Sequence, residues 1–183
     1  KGLNFRIQMS PMDCTGCEVC VNVCPTQSLS MKLLSEVKDV ESKNWDFAMT
    51  LSNKGNLVDK NTVKGSQFQP PMMEFNGACA GCGETGYVKM LTQLFGSKMI
   101  LSDAMGCSMV WSGTTGLIPF TKDKNGYGPC YCCSLFEDSA EYGYGVTKAN
   151  EVKRKRLVSN VEAALKSNPS AELKGCMEKW LAN

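Results

Sequence analysis

The chain has 183 residues, a net charge of +2 and 43% hydrophobic residues, enough for one or two domains with a packed core. That charge balance gives no argument for a nucleic-acid partner or an anionic membrane surface, and no run approaches the ~18–20 consecutive apolar residues of a membrane span. There is no histidine, so the commonest general base is absent. The sequence therefore names no catalytic residue, and any chemistry must come from a cofactor or from another part of a larger protein.

In chain order, Phe5, Ile7 and Met9 alternate with Arg6 and Gln8 and predict a short strand. Cys14, Cys17, Cys20 and Cys24-Pro25 follow in a C-x₂-C-x₂-C-x₃-C-P run, the spacing with which bacterial-type ferredoxins hold 4Fe–4S clusters. Three closely spaced thiolates wrap one face of a cubane, and in two-cluster ferredoxins the fourth cysteine ligates the other cluster. A disulfide framework suits an even cysteine count in a short secreted chain, whereas this chain has 11 cysteines. Zinc sites pair distant C-x₂-C units or recruit histidine. Only one such run is present, so each of its clusters lacks ligands. Thiolate chemistry of this kind belongs in a reducing compartment. No targeting segment is legible, although the chain starts at Lys1 rather than at a methionine.

Leu29, Met31 and Leu33 alternate with Ser30 and Lys32 and predict a partner strand, which closes a ferredoxin-like α+β segment over residues 1–34. Residues 35–74 are polar and aperiodic, end on Pro70-Pro71, and read as a connector lying along a surface. An α/β domain is expected over 75–183. Residues 84–95 carry Tyr87, Val88, Leu91, Leu94 and Phe95 at helical spacing before Gly96, and residues 99–101 read as a buried strand. The turn over 103–106 then lies where open α/β sheets place ligands. Ser134 and Glu137 form a capping-box pattern for a helix that Gly143 and Gly145 interrupt, with a further helix over about 146–165. Ser170 is positioned to cap a last helix.

Cys79 and Cys82 sit in a loop rich in Gly and Ala that runs into a helix N-terminus, and Cys107 follows the predicted strand. Small residues let backbone amides approach a bulky anionic ligand. Spacing alone leaves a second iron–sulfur cluster and a zinc site equally open. Cys176, on a predicted amphipathic helix, reads as a small buried hydrophobe, as do Cys130, Cys132 and Cys133, which are too close together to share one cubane face. The basic run Lys153-Arg154-Lys155-Arg156 reads as a solvated helix face rather than a docking patch.

Several stretches together carry a resemblance: Gly65 to Pro70, Met73 to Thr85, Leu91 to Gly96, Gly106-Cys107-Ser108 with Trp111, and Ser134 to Asp138, with the ferredoxin run upstream. In these the chain resembles the thiamine-dependent 2-oxoacid:ferredoxin oxidoreductases, and within them the pyruvate:ferredoxin oxidoreductases, over residues 1–145 and more loosely beyond. The resemblance implies that Cys79, Cys82 and Cys107 are three of four ligands to a proximal 4Fe–4S cluster. It also implies that Glu84 and Cys107 approach thiamine diphosphate. The Mg²⁺ and diphosphate segment would follow this chain, and the pyruvate-binding groups would precede it. The implied activity is oxidative decarboxylation of pyruvate with coenzyme A, with electrons passing to ferredoxin or flavodoxin, in a homodimer of the full-length enzyme. The implied location is the cytoplasm or an anaerobic organelle. A non-enzymatic iron–sulfur carrier and a related enzyme for another 2-oxoacid are the alternatives. The family's Gly-Pro-Ala-Trp-x-Asn is replaced here by Gly128-Pro129-Cys130-Tyr131-Cys132-Cys133, and Asp103 and Met105 stand where Asn and Thr are usual. These departures bear on thiamine binding rather than on the clusters.

Overall fold

The computed structural model describes residues 2–114, 116, 118–134, 136 and 138–182. Its centre is a pair of parallel strands, β1 (Ile100–Ala104) and β2 (Cys130–Ser134), in register from Ile100 opposite Cys130 to Ala104 opposite Ser134. Parallel pairing needs a long crossover, and residues 105–129 supply it. The crossover begins with α5 (Cys107–Met109), which runs into a wide π turn, Val110–Thr114. The predicted strand at 99–101 is thus present, one residue later and longer. The cysteine-rich departure forms its neighbour, and no alternating pattern of apolar residues announced it. Two strands cannot enclose a core, and both are only partly covered.

The helix expected over 84–95 is α4 (Glu84–Phe95), and it ends at Gly96. Its apolar stripe is not its buried face: Tyr87, Leu91 and Phe95 are exposed, while Thr92 and Gln93 are buried. These two side chains hold the preceding loop. Thr92 Oγ1 accepts from Met72 N at 3.1 Å, and Gln93 Nε2 donates to the Gln69 carbonyl at 3.0 Å. The Met72 side chain lies so close to Gly96 that a Cβ there would stand 2.6 Å from Met72 Sδ. Glycine at this helix end therefore permits close packing as well as a stop.

Residues 35–74 depart most from expectation. They contain α2 (Leu34–Thr50), a 3₁₀ turn at Gly55–Leu57 and α3 (Val63–Ser66), which Thr62 caps by accepting from Gly65 N. The half-buried positions of α2 are Val37, Glu41, Ser42, Asn44, Trp45 and Ala48, one helical face on which half the residues are polar. Glu41 on that face accepts from Gln8 Nε2 at 2.9 Å and pairs with Arg6 at 3.6 Å. Trp45 meets Phe75 edge-on, and Phe5 meets Phe68 likewise, at ring-centroid distances of 6.2 and 5.7 Å. These contacts hold residues 5–8 as an irregular arm, so the strands expected at 5–9 and 29–33 do not form. An alternating pattern needs a ladder partner, and among the described residues no segment pairs with either stretch.

Further on, Ser134 closes β2 instead of opening a helix; Glu137 and Leu135 lie outside the described residues. The helix starts five residues after Ser134 as α6 (Ser139–Lys166) and runs unbroken through Gly143 and Gly145. Gly143 lies against Ser102 of β1, whose hydroxyl donates to the Ser139 carbonyl at 2.7 Å, so the small residue serves packing. The last helix, α7 (Ala171–Leu181), has Ser170 Oγ accepting from Leu173 N, as expected. Cys176 on it is exposed, contrary to expectation, and so are Cys130 and Cys133; only Cys132 is partly covered, its thiol donating to the Leu101 carbonyl at 3.0 Å.

Met73, Met109 and Trp111 are, prolines aside, the buried hydrophobic side chains among the described residues. The accessible surface is 13,778 Å², against about 8,700 Å² expected for a compact monomer of 20.0 kDa. Helices α2, α6 and α7 bury no residue fully. No helix among the described residues is long and apolar enough to cross a membrane.

Candidate metal centres

The ferredoxin run turns sharply at Gly16 and at Glu18, both with left-handed φ (69° and 62°), and enters the short α1 (Val19–Asn22). These turns leave Cys14, Cys17 and Cys20 exposed. Cys24 sits differently. Its sulfur lies 3.6 Å from Thr26 Oγ1 and accepts from Ser28 N at 3.4 Å. Hydrogen bonding by Thr26, and then by the Ser28 amide, lowers its thiol from 9.0 to about 7. Donors arranged around a thiolate are what a ligating sulfur carries.

The second loop meets the first. Cys14 and Cys17 share a cleft of about 640 Å³ with Cys79 and Cys82, floored by Val19, Ala78, Gly81 and Gly83. Cys14 also opens with Cys20 onto a neighbouring cleft of about 540 Å³, lined by Pro11, Leu29 and Met31. Cys24 and Cys107 line neither cleft. Among the described residues no three His, Cys, Asp or Glu side chains converge on a single metal ion. Four thiols line the first cleft against a single carboxylate, Asp13, and a donor set so rich in soft sulfur suits iron–sulfur clusters. Thiols spread around a roomy cleft fit a multinuclear body better than one tetrahedral ion, whose ligands must crowd within about 2.3 Å of its centre.

Cys107 opens α5, directly after the turn that ends β1, and is exposed. Two features join it to the cysteine loop. Trp111 is 3% exposed, and its indole Nε1 donates to Glu84 Oε2 at 3.2 Å. Its carbonyl accepts from Gly77 N. Within the loop, Asn76 Oδ1 accepts from Ala78 N, Cys82 N donates to the Cys79 carbonyl, and Thr85 Oγ1 donates to the Cys82 carbonyl. Glu84, the first residue of α4, is exposed apart from its bond to Trp111. Its chemistry fits a hydrogen-bond acceptor, and Cys107 offers an exposed thiol.

Sequence reasoning missed one cluster altogether. Ser108 Oγ donates to Asp103 Oδ1 at 2.8 Å, Tyr131 Oη donates to Asp103 Oδ2 at 3.3 Å, and Ser112 Oγ lies 2.9 Å from Tyr131 Oη. Burial pushes the Tyr131 phenol above its ordinary value, and the Asp103 carboxylate adds to this. Two of the departures, Asp103 near the C-terminal end of β1 and Tyr131 near the N-terminal end of β2, thus contact each other through their side chains. Ser108 and Ser112, four apart on one helical face, were the only sequence signal.

With this geometry in place, relatives can be compared. A model of the 4Fe-4S binding domain matches residues 7–30, which enclose the ferredoxin run. The chain is 49% identical over 183 residues to the pyruvate:ferredoxin oxidoreductase of Moorella thermoacetica, covering 99% of this chain and 16% of that protein. Over nearly its whole length the chain is homologous to a segment of the pyruvate:ferredoxin and pyruvate-flavodoxin oxidoreductases. It is also 47% identical over 182 residues to the mitochondrial pyruvate dehydrogenase (NADP+) of Euglena gracilis, covering 99% of this chain and 10% of that protein. To the pyruvate-flavodoxin oxidoreductase of Enterobacter agglomerans it is 45% identical over 185 residues, or 98% and 16%. The chain therefore spans about a tenth to a sixth of the length of these relatives.

Proposed function

We propose that this chain is the electron-transfer segment of an oxidoreductase that converts pyruvate and coenzyme A to acetyl-CoA and carbon dioxide. The two electrons released leave one at a time toward ferredoxin or flavodoxin. The observation that carries this reading is the cleft that Cys14 and Cys17 share with Cys79 and Cys82. It sets two thiolate sets side by side, as a relay requires. An iron–sulfur carrier with one ferredoxin run has no use for the second set.

In this reading residues 1–34 form part of a ferredoxin-like domain, 35–74 link it onward, and 75–183 begin a thiamine-diphosphate-binding α/β domain. Cys14, Cys17, Cys20 and Cys24 bind iron of the ferredoxin-type clusters. Hydrogen bonds from Thr26 and the Ser28 amide favour the thiolate form of Cys24. Cys79, Cys82 and Cys107 bind the second cluster. Glu84 and Cys107 face thiamine diphosphate, whose bound form supplies the electron sink for decarboxylation; its Mg²⁺ is held elsewhere in the polypeptide. The large open surface supports packing against further polypeptide in a homodimer. The thiolates call for a reducing compartment.

The test is anaerobic purification of the parent polypeptide and assay of ferredoxin and flavodoxin reduction. Reduction that requires both pyruvate and coenzyme A is expected. Reduction with another 2-oxoacid but not pyruvate would reassign the substrate, and reduction by neither would remove the enzymatic reading.

A further inference from the structure

Trp111 touches both ends of the cysteine loop. Its backbone carbonyl receives Gly77 N at 3.4 Å, just before Cys79 and Cys82, and its indole Nε1 donates to Glu84 Oε2 at 3.2 Å, just after them. The same residue lies four positions beyond Cys107, in the helical turn that begins at that cysteine. Gly106 and Val110 are joined by a hydrogen bond at 3.0 Å, so the turn between Cys107 and Trp111 is a formed one. Trp111 is 3% exposed and its neighbour Ser112 1% exposed, which makes this the best-buried stretch near any of the cysteines.

We infer that Trp111 is the positioning residue that fixes the Cys79–Cys82 loop against Cys107, so that thiolates 25 or more residues apart are held for one cluster. The inference rests on the assignment of those three cysteines to a common cluster. The loop is made of Gly and Ala around its two cysteines, and the side chains that hold it, Asn76 and Thr85, bond only to near neighbours in the chain, so neither ties it to Cys107. A loop of that composition samples many conformations, and ordering it carries an entropic cost. A rigid indole with a charge-assisted hydrogen bond at one end and a backbone hydrogen bond at the other removes that freedom before iron arrives. Buried indole N–H groups need a partner, so Glu84 and Trp111 hold each other. Glu84 then has two tasks, orienting the loop and facing a cofactor.

The experiment uses the anaerobically purified parent enzyme, with iron content and electron paramagnetic resonance of the dithionite-reduced clusters as readouts. Cys82→Ala is the reference and should lose about four iron atoms, one 4Fe–4S cluster. Trp111→Phe keeps the ring and removes the indole donor. We expect it to lower the occupancy of that same cluster several-fold, or to shift its signal and midpoint potential, while signals of the ferredoxin-run clusters stay unchanged. Glu84 is exposed, so its variants test the same contact without disturbing the interior. Glu84→Ala should reproduce the Trp111→Phe spectrum, and Glu84→Gln, which keeps an acceptor, should restore most of the occupancy. Wild-type iron, signal and potential in both Trp111→Phe and Glu84→Ala, with the cluster lost in Cys82→Ala, would overturn the positioning role and leave the cluster assignment standing. Retention of every cluster in Cys82→Ala would overturn the assignment and the inference with it.

Discussion

Gly81 stands against Cys17: a Cβ on Gly81 would lie 3.7 Å from the Cys17 Cβ and 3.4 Å from Val19 Cγ2. The backbone of one cysteine loop thus rests on a cysteine of the other. Gly81 has φ +72°, where an L-residue pays about 1–2 kcal/mol. Gly81→Ala should therefore destabilise the loop by about that amount and slow transfer between the two cysteine sets. Gly83, with φ −78° and nothing within 4 Å of its would-be Cβ, is the contrast. Gly83→Ala should be close to neutral in stability. Denaturant titration and rapid-freeze resonance of both variants check the pair; equal losses in the two would contradict it.

The two cysteine sets should separate by step. In the parent enzyme, Cys17→Ala should still allow pyruvate to reduce the cluster proposed for Cys79, Cys82 and Cys107, yet abolish reduction of the carrier protein. Cys107→Ala should prevent reduction of both. A missing thiolate leaves an iron open and its cluster labile while the other set keeps its own contacts. Rapid-freeze electron paramagnetic resonance after pyruvate addition reads each step, and the opposite pattern would reverse the assignment.

Metal identity and stoichiometry follow from incomplete ligand sets. The 183-residue chain alone should bind iron weakly, because one ferredoxin run and three further cysteines leave each cluster short of a thiolate. The parent polypeptide should carry about three 4Fe–4S clusters. Iron and acid-labile sulfide analysis decides this, and stoichiometric zinc would contradict it.

The arm over residues 5–8 should detach with acid. Glu41 is held below its ordinary value of 4.5, first by Gln8, then by Asn44 and by the Arg6 charge. A carboxyl lowered on folding contributes stability above its unfolded value, and that contribution is lost as pH falls through the folded one. Amide exchange of the arm, corrected for intrinsic rates, should therefore rise as pH drops below about 4.5. Glu41→Gln should flatten this dependence, and added salt should weaken the Arg6 part, since the pair is solvent-accessible.

What the sequence determined by itself was whatever depends on local spacing. The ferredoxin run, the Gly-rich cysteine loop, α4 with its Gly96 stop and the Ser170 cap were legible because each is fixed by residues within one turn or loop. What only the tertiary structure decided depends on partners far away in the chain. Helix α2 was illegible because its covered face presents Glu41, whose partners Gln8 and Arg6 come from the arm, and Asn44, which donates to Glu41 itself, rather than an apolar stripe set against a core. The arm failed as a strand for the complementary reason, since alternation without a ladder partner has nothing to pair with. Strand β2 was hidden in cysteines, and its pairing with β1 came from a 25-residue crossover that no local pattern encodes. The meeting of Cys17 with Gly81, and of Trp111 with Glu84, joins segments 64 and 27 residues apart. Side chains so distant are brought into contact by packing, and periodicity along the chain carries no information about it.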